Sequence, residues 1–113
     1  MTNDQLLPFQ RLDVYIVAKE FARRIHEAKI SDAELRDQAT RAAKSAFLHI
    51  CEGLPNRGTA MRRKYFTGSQ NSLYEALGAM DLARAIGAVS QEDADAVQAL
   101  GVRFAQLLSA LLR

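Results

Sequence analysis

The chain is 113 residues long, which is room for one domain and too little for two ordinary ones. A single cysteine, Cys51, excludes an intramolecular disulfide framework, and no apolar run nears the roughly 18 residues of a membrane span. The net charge of +2 names no partner by itself, but it is uneven: residues 36–66 carry seven basic and two acidic side chains, against five and six in residues 1–35 and three and five in residues 67–113.

No charged-then-apolar signal segment opens the sequence, so a soluble, cytoplasmic, bacterial protein with no membrane partner is expected. Alanine and leucine are abundant and tryptophan is absent, a composition that favours helix. The first periodic segment runs from about Pro8, a residue suited to a first helical turn, to Lys29. Val14, Val17, Ala18, Phe21, Ile25 and Ala28 mark its buried face, widened at the start by Leu12, Tyr15 and Ile16. Ser31 and Glu34 then form a capping-box signature for a second helix from Asp32 to about Glu52. Its apolar face is Leu35, Ala39, Ala42, Ala43, Ala46 and Ile50, small enough for another backbone to come close at Ala42 and Ala46. Gly53 reads as a left-handed stop, and Pro55 blocks continuation.

A third helix is predicted from about Thr59 to Ile86, with Phe66, Ser69, Leu73, Ala76, Met80 and Ala83 on one face and Gly87 at its end. Ser90 and Asp93 suggest a cap for a fourth helix, from Gln91 to about Leu112, whose stripe is Val97, Leu100, Phe104, Leu107 and Leu111. Four helices joined by short loops make sequential neighbours antiparallel. The expected fold is therefore all-α, an up-down-up-down antiparallel four-helix bundle forming a single domain over residues 1–113. Leu6, Leu7, Leu77 and Leu82 are left over once each main stripe is buried, which suits a homo-oligomer.

Catalytic and metal patterns are weak. A di-metal bundle needs Glu-x-x-His pairs, yet Arg23 precedes His26 and Ala46 precedes His49 at that spacing. His49 and Cys51, two residues apart, point to different sides of one helix. Gly53 and Gly58 match no nucleotide-binding fingerprint, and Cys51 reads as a small buried hydrophobe. No enzymatic activity, cofactor, metal or small-molecule substrate is expected.

The stretch "RAAKSAFLHICEG" (residues 41–53) resembles the second helix of the four-helix-bundle proteins encoded in intervening sequences of ribosomal RNA genes, which reads approximately Arg-Ala-Ala-x-Ser-Ile-Pro-x-Asn-Ile-Ala-Glu-Gly. Arg41, Ala42, Ala43, Ser45, Ile50, Glu52 and Gly53 match in register. The family's Gly-Ser-x-x-Glu element, twenty residues beyond that glutamate, is matched by Ser72 and Glu75 of "NSLYE". "LDVYIVAKEFA" is similar to the family's first helix. Ala46-Phe47 stands in place of Ile-Pro, His49 of asparagine, Cys51 of alanine and Asn71 of glycine, and the Arg-x-Ser that opens the family's third helix is replaced at Asn56 and Gly58. The resemblance implies a ring-forming bundle, commonly a pentamer, without enzymatic activity. It also implies kinship with the accessory variability proteins of diversity-generating retroelements, which bind nucleic acid through a basic surface.

Two residue groups follow. Arg41, Ser45, His49 and Glu52, with Gly53, Ser72 and Glu75, are expected to be structural or interfacial, Glu75 being the obvious partner for Arg41 across antiparallel helices. Arg57, Arg62, Arg63 and Lys64 crowd the start of the third helix, where cations oppose the helix dipole, and are the candidate nucleic-acid contacts. A five-membered ring would raise the +5 of the middle third to roughly +25. Base stacking there would need Tyr65 exposed, since Phe66 suits the core. Two functions stay open: an RNA- or DNA-binding homo-oligomer, and an oligomeric protein-interaction scaffold with no nucleic-acid partner.

Overall fold

The computed structural model describes residues 2–113. After a short turn at Asn3–Gln5, the chain makes a 3-10 turn at Pro8–Arg11 and then four helices: α1 (Asp13–Glu27), α2 (Ala33–Gly53), α3 (Thr59–Ala85) and α4 (Gln91–Leu112). No strand occurs among the described residues. The helix begun at Pro8 is not continuous, because Leu12 is extended (φ −75°, ψ 144°) and breaks it. The preceding turn sets Phe9 edge-on to Tyr15, ring centroids 5.7 Å apart.

The helix ends show which polar groups the sequence commits to capping. Asp32, not Ser31, caps α2: its Oδ1 accepts from the Leu35 N–H at 2.9 Å. Ser31 instead donates from its N–H (2.8 Å) and its hydroxyl (3.3 Å) to the Ala88 carbonyl, tying the α1–α2 loop to the α3–α4 loop. Ser90 caps α4 by accepting from the Asp93 N–H at 3.1 Å. Gly87, at φ 75°, ends α3 in the left-handed conformation that favours glycine. Gly53 does not play that part. It lies within α2 without a positive φ, and a Cβ built on it would sit 2.7 Å from Cε1 of Phe66. The residue is small because α3 comes close.

The core is made where the periodic stripes meet. α2 contributes Ala39, Ala42, Ala43, Ala46 and Ile50, and α3 contributes Phe66, Ser69, Leu73, Ala76, Met80 and Ala83, all buried as their spacing predicts. On α1, Val14, Tyr15, Ala18, Phe21 and Ile25 are buried, while Ile16, like Leu12 just before the helix, is exposed. α4 is rotated from its expected phase: Val97, Gly101, Phe104 and Leu108 are buried, and Leu100, Leu107 and Leu111 flank them. Of the four leftover leucines, Leu7 and Leu82 are exposed, Leu6 is half-buried, and Leu77 packs over Gly101.

Helices α1–α2, α2–α3, α3–α4 and α1–α4 pack pairwise, with α2–α3 the largest contact. Along that seam Gln38 meets Glu75, Ser45 meets Ser72, Ala46 meets Ser69 and Gly53 meets Phe66. Numbers rise on α2 as they fall on α3, so this pair is antiparallel. Between α1 and α4, Phe21 and Phe104 pack edge to face at 6.0 Å, and Arg24 pairs with Asp93 at 2.8 Å. None of the helices, among the described residues, is long and apolar enough to cross a membrane.

Candidate nucleic-acid interface and the polar seam of α2 and α3

Of the motif residues of α2 and α3, Ser45, His49, Gly53 and Ser72 lie in the seam. Ser69 is fully buried and donates to the Ala46 carbonyl at 2.8 Å, so the hydroxyl that would otherwise be stranded is satisfied by a neighbouring backbone. Ser45 and Ser72 share a hydroxyl–hydroxyl bond of 2.9 Å. His49 lies over Gly68, where a Cβ would come within 2.6 Å of its ring. Its Nδ1 is 2.7 Å from the Ser45 carbonyl, an atom that can only accept, which assigns the proton to Nδ1. With that N–H directed at its own helix, Nδ1 has no lone pair to activate the Ser45 hydroxyl 3.3 Å away. The serine–histidine pair is built for packing.

Arg41 and Glu75 do not pair. Glu75 accepts from Gln38 Nε2 at 2.8 Å, while Arg41 is exposed and its Nε reaches the Asp37 carbonyl at 3.4 Å, too long to hold it firmly. Arg41, Gln38, Ala42, Ser45 and Glu75 share the lining of a groove of about 330 Å³. Glu52 is exposed on the outer side of α2, and Gly53 is buried. Burial pushes the thiol of half-buried Cys51 above its ordinary range, and the charge of Glu52 pushes the same way. That is the opposite of what a reactive thiolate needs.

The four cations at the start of α3 divide. Arg62 is half-buried: its Nη1 donates to the carbonyls of Leu54 (2.7 Å), Asn56 (3.1 Å) and Gly53 (3.3 Å), and its guanidinium lies 5.1 Å from the Phe66 ring centre. It satisfies the otherwise unpaired carbonyls of Leu54 and Asn56 just past the end of α2 and adds a second donor to that of Gly53, which also accepts from the Asn56 N–H at 3.2 Å, a structural task at odds with a purely ligand-facing role. Arg63 donates to the Leu112 carbonyl at 2.7 Å, where a cation suits the C-terminal end of α4. Arg57 and Lys64 are exposed, Lys64 lying 6.0 Å from the Tyr65 ring centre. Tyr65 itself is half-buried and Phe66 is in the core, so this surface offers no open aromatic platform.

A second basic surface lies elsewhere. His26 of α1 and Arg36, Asp37, Thr40, Arg41 and Lys44 of α2 line an open groove of about 500 Å³. The spacing of residues 36, 40, 41 and 44 puts them on one side of a helix, a pattern present in the sequence but less dense than the run at residues 62–64. Among the described residues, ion pairs join Arg23 to Glu20 and Glu27, Arg24 to Asp93, Arg84 to Asp95 and Arg103 to Asp13. The hydrogen bond from Arg24 holds the Asp93 carboxyl below its ordinary range. None of these pairs falls within residues 36–66, the segment with the positive excess. No group of His, Cys, Asp and Glu side chains suited to a metal ion is found among the described residues.

A comparison with curated proteins gives no significant match. The family model described as "23S rRNA-intervening sequence protein" matches residues 10–110, nearly the whole chain. With its second-helix motif packed along the α2–α3 seam and its four helices gathered in one bundle, the chain belongs to the 23S rRNA-intervening sequence protein family.

Proposed function

We propose that this protein is a non-enzymatic, cytoplasmic homo-oligomer, a pentamer of up-down-up-down four-helix bundles, that binds RNA or DNA through a basic surface. The observation that carries the reading is the electrostatic division of the molecule. Arg23, Arg24, Arg84 and Arg103, all outside residues 36–66, carry the ion pairs found among the described residues, whereas none of the cations within 36–66, Arg36, Arg41, Lys44, Arg57 and Lys64 included, takes part in one. Unpaired surface cations are the groups that exchange counterions for phosphates. The up-down-up-down topology is supported by the falling register of α3 against α2 and of α4 against α3, where Arg63 meets Leu112 and Arg84 meets Asp95.

Self-association is supported by a different face. Thr67, Asn71, Tyr74, Gly78, Leu82 and Ala85 recur at helical spacing on α3, are all exposed, and include no charge. Tyr74 and Leu82 leave about half of their surface open, 52% and 51%. Such a stripe suits a partner helix. Equilibrium binding of unrelated single-stranded RNA and DNA sequences over a salt series tests the reading. Affinity should fall steeply and linearly in a log–log plot, by roughly 0.7 per phosphate neutralised, with little sequence preference. Absence of binding to either polymer at low salt would remove it.

The second reading, an oligomeric protein-interaction scaffold, is favoured by the structural employment of Arg62 and Arg63, which withdraws half of the α3 cluster from ligand contact. Assembly that persists without any nucleic-acid affinity would select it.

A further inference from the structure

We infer that the groove between the end of α1 and the first half of α2 is a binding track for consecutive phosphate groups of one linear chain, with Arg36, Arg41 and Lys44 taking successive phosphates. This stands independently of whether nucleic acid is the biological ligand, since the chemistry named is a row of phosphates. Three features carry it.

First, the charge is uncompensated. Three permanent cations face one carboxylate, Asp37, which lies within ion-pair distance of none of them among the described residues. The internal contacts of the two arginines are slack: Arg36 Nη1 reaches the Ile30 carbonyl, and Arg41 Nε the Asp37 carbonyl, each at 3.4 Å. Both guanidiniums can turn toward a ligand at little cost.

Second, the dimensions suit a chain rather than a single ion. Arg36 and Lys44 are separated by about 12 Å of helix rise, with Arg41 between them. The groove's volume of about 500 Å³ equals that of many water molecules at roughly 30 Å³ each, far more than one tetrahedral anion displaces.

Third, every lining residue carries a polar or charged group, and the apolar surface between those groups is carbon of the same side chains and backbone. The lining residues include no aliphatic one and no aromatic one beyond His26 of α1, so the groove offers no platform for stacking a row of bases. What remains is recognition of a backbone by two planar forks and a point charge. Lys44 lies about 13 Å of helix rise from Gly53, the last residue of α2, and Arg57 lies beyond that end while Lys64 precedes the Phe66 that meets Gly53, so the groove and the Arg57/Lys64 surface are separate.

Isothermal titration calorimetry of the full chain with inorganic tripolyphosphate at low salt tests this. The parent should bind, and Arg36→Gln/Arg41→Gln/Lys44→Gln should bind at least tenfold more weakly while keeping the parent's circular dichroism. Arg57→Gln/Lys64→Gln should stay within about twofold of the parent. Because the triple variant could lose structure, Asp37→Asn provides the opposite sign: removal of the one carboxylate should tighten binding about two- to fivefold, the scale of an exposed charge contact. No heat from the parent, equal loss in the Arg57/Lys64 variant, an unchanged Asp37→Asn, or equal affinity for polyglutamate would each overturn the inference.

A single-stranded RNA arm identifies the source of the phosphates. If the groove variant flattens the RNA salt slope by about two, the chain is a nucleic-acid backbone. If tripolyphosphate binds and RNA does not, the groove stands with a polyphosphate as its ligand, and the nucleic-acid reading fails alone.

Discussion

Replacement of Gly53 by alanine probes the closeness of α2 and α3 at the end of their seam. A Cβ there would lie 2.7 and 2.9 Å from Cε1 and Cδ1 of Phe66 and 3.1 Å from Cβ of Tyr65. Phe66 is 1% exposed, with Arg62 against its ring, so it has nowhere to retreat. Overpacking of this kind costs about 1–3 kcal/mol. Against it stands the better helix propensity of alanine, up to about 1 kcal/mol in a helix interior and less in a last turn. A net loss of about 1–2 kcal/mol remains, or a thermal midpoint lower by roughly 4–8 °C for a chain of this size. Gly68→Ala is the informative comparison. There the methyl meets His49 at 2.6–2.8 Å, but this ring is half-buried and can swing away. The cost is then its hydrogen bond to the Ser45 carbonyl, about 0.5–1.5 kcal/mol, nearly offset by the propensity gain. Thermal and urea denaturation at one fixed protomer concentration should separate the two variants by more than about 1 kcal/mol. A Gly53→Ala protein as stable as the parent would refute the close-approach argument.

Arg62→Ala should lower the urea midpoint by the equivalent of about 1–3 kcal/mol, because it strands the carbonyls of Leu54 and Asn56, whereas Lys64→Ala should stay within about 0.5 kcal/mol. Ala46→Leu, at a site with no exposed surface whose carbonyl accepts from Ser69, should cost about 1–3 kcal/mol; an unchanged thermal midpoint would contradict the seam. Arg24→Ala should cost at most about 1 kcal/mol at neutral pH, by loss of the partly exposed pair with Asp93. Since Arg24 lowers the native pKa of Asp93, its contribution is complete above the unfolded value of about 3.9 and disappears as pH falls through the native one. Urea melts should therefore show a constant parent–variant gap from pH 5 to 7 and a closing gap below about pH 4.

The four helices were legible because their stripes are long and their punctuation is local. Positions on α2 and α3 could be read one by one, since alanine and large apolar residues alternate with charges. α4 was harder: Leu107 and Leu108 are adjacent and chemically equal, and Gly101 contributes no apolar side chain to a stripe, so its phase was fixed only by packing against Leu77 and Phe21. Ser31 and Asp32 compete for one cap, and the choice depends on Ala88, which is distant in sequence. Gly53 looked like a stop signal because spacing cannot distinguish a left-handed glycine from one made small by a neighbouring ring. The same limit applies at the candidate surface. Charge density drew attention to residues 57–64, but which cations are already engaged by backbone carbonyls depends on where helices end in space. Arg62 was spent just past the end of α2 and Arg63 at the end of α4, while Arg36 and Arg41 keep only long, 3.4 Å contacts to the Ile30 and Asp37 carbonyls and line one groove with Lys44.

Oligomerisation and phosphate-directed binding of nucleic acid can be tested together in one experiment. Sedimentation velocity of a fluorescently labelled single-stranded RNA, mixed with the protein at low salt and observed through the label, reports the mass of whatever carries the RNA. The label should move with a protein species of five times the 12.5 kDa chain mass and return to the free RNA rate as salt is raised. A label that sediments as free RNA at every protein concentration, or that travels with a single chain, would contradict it.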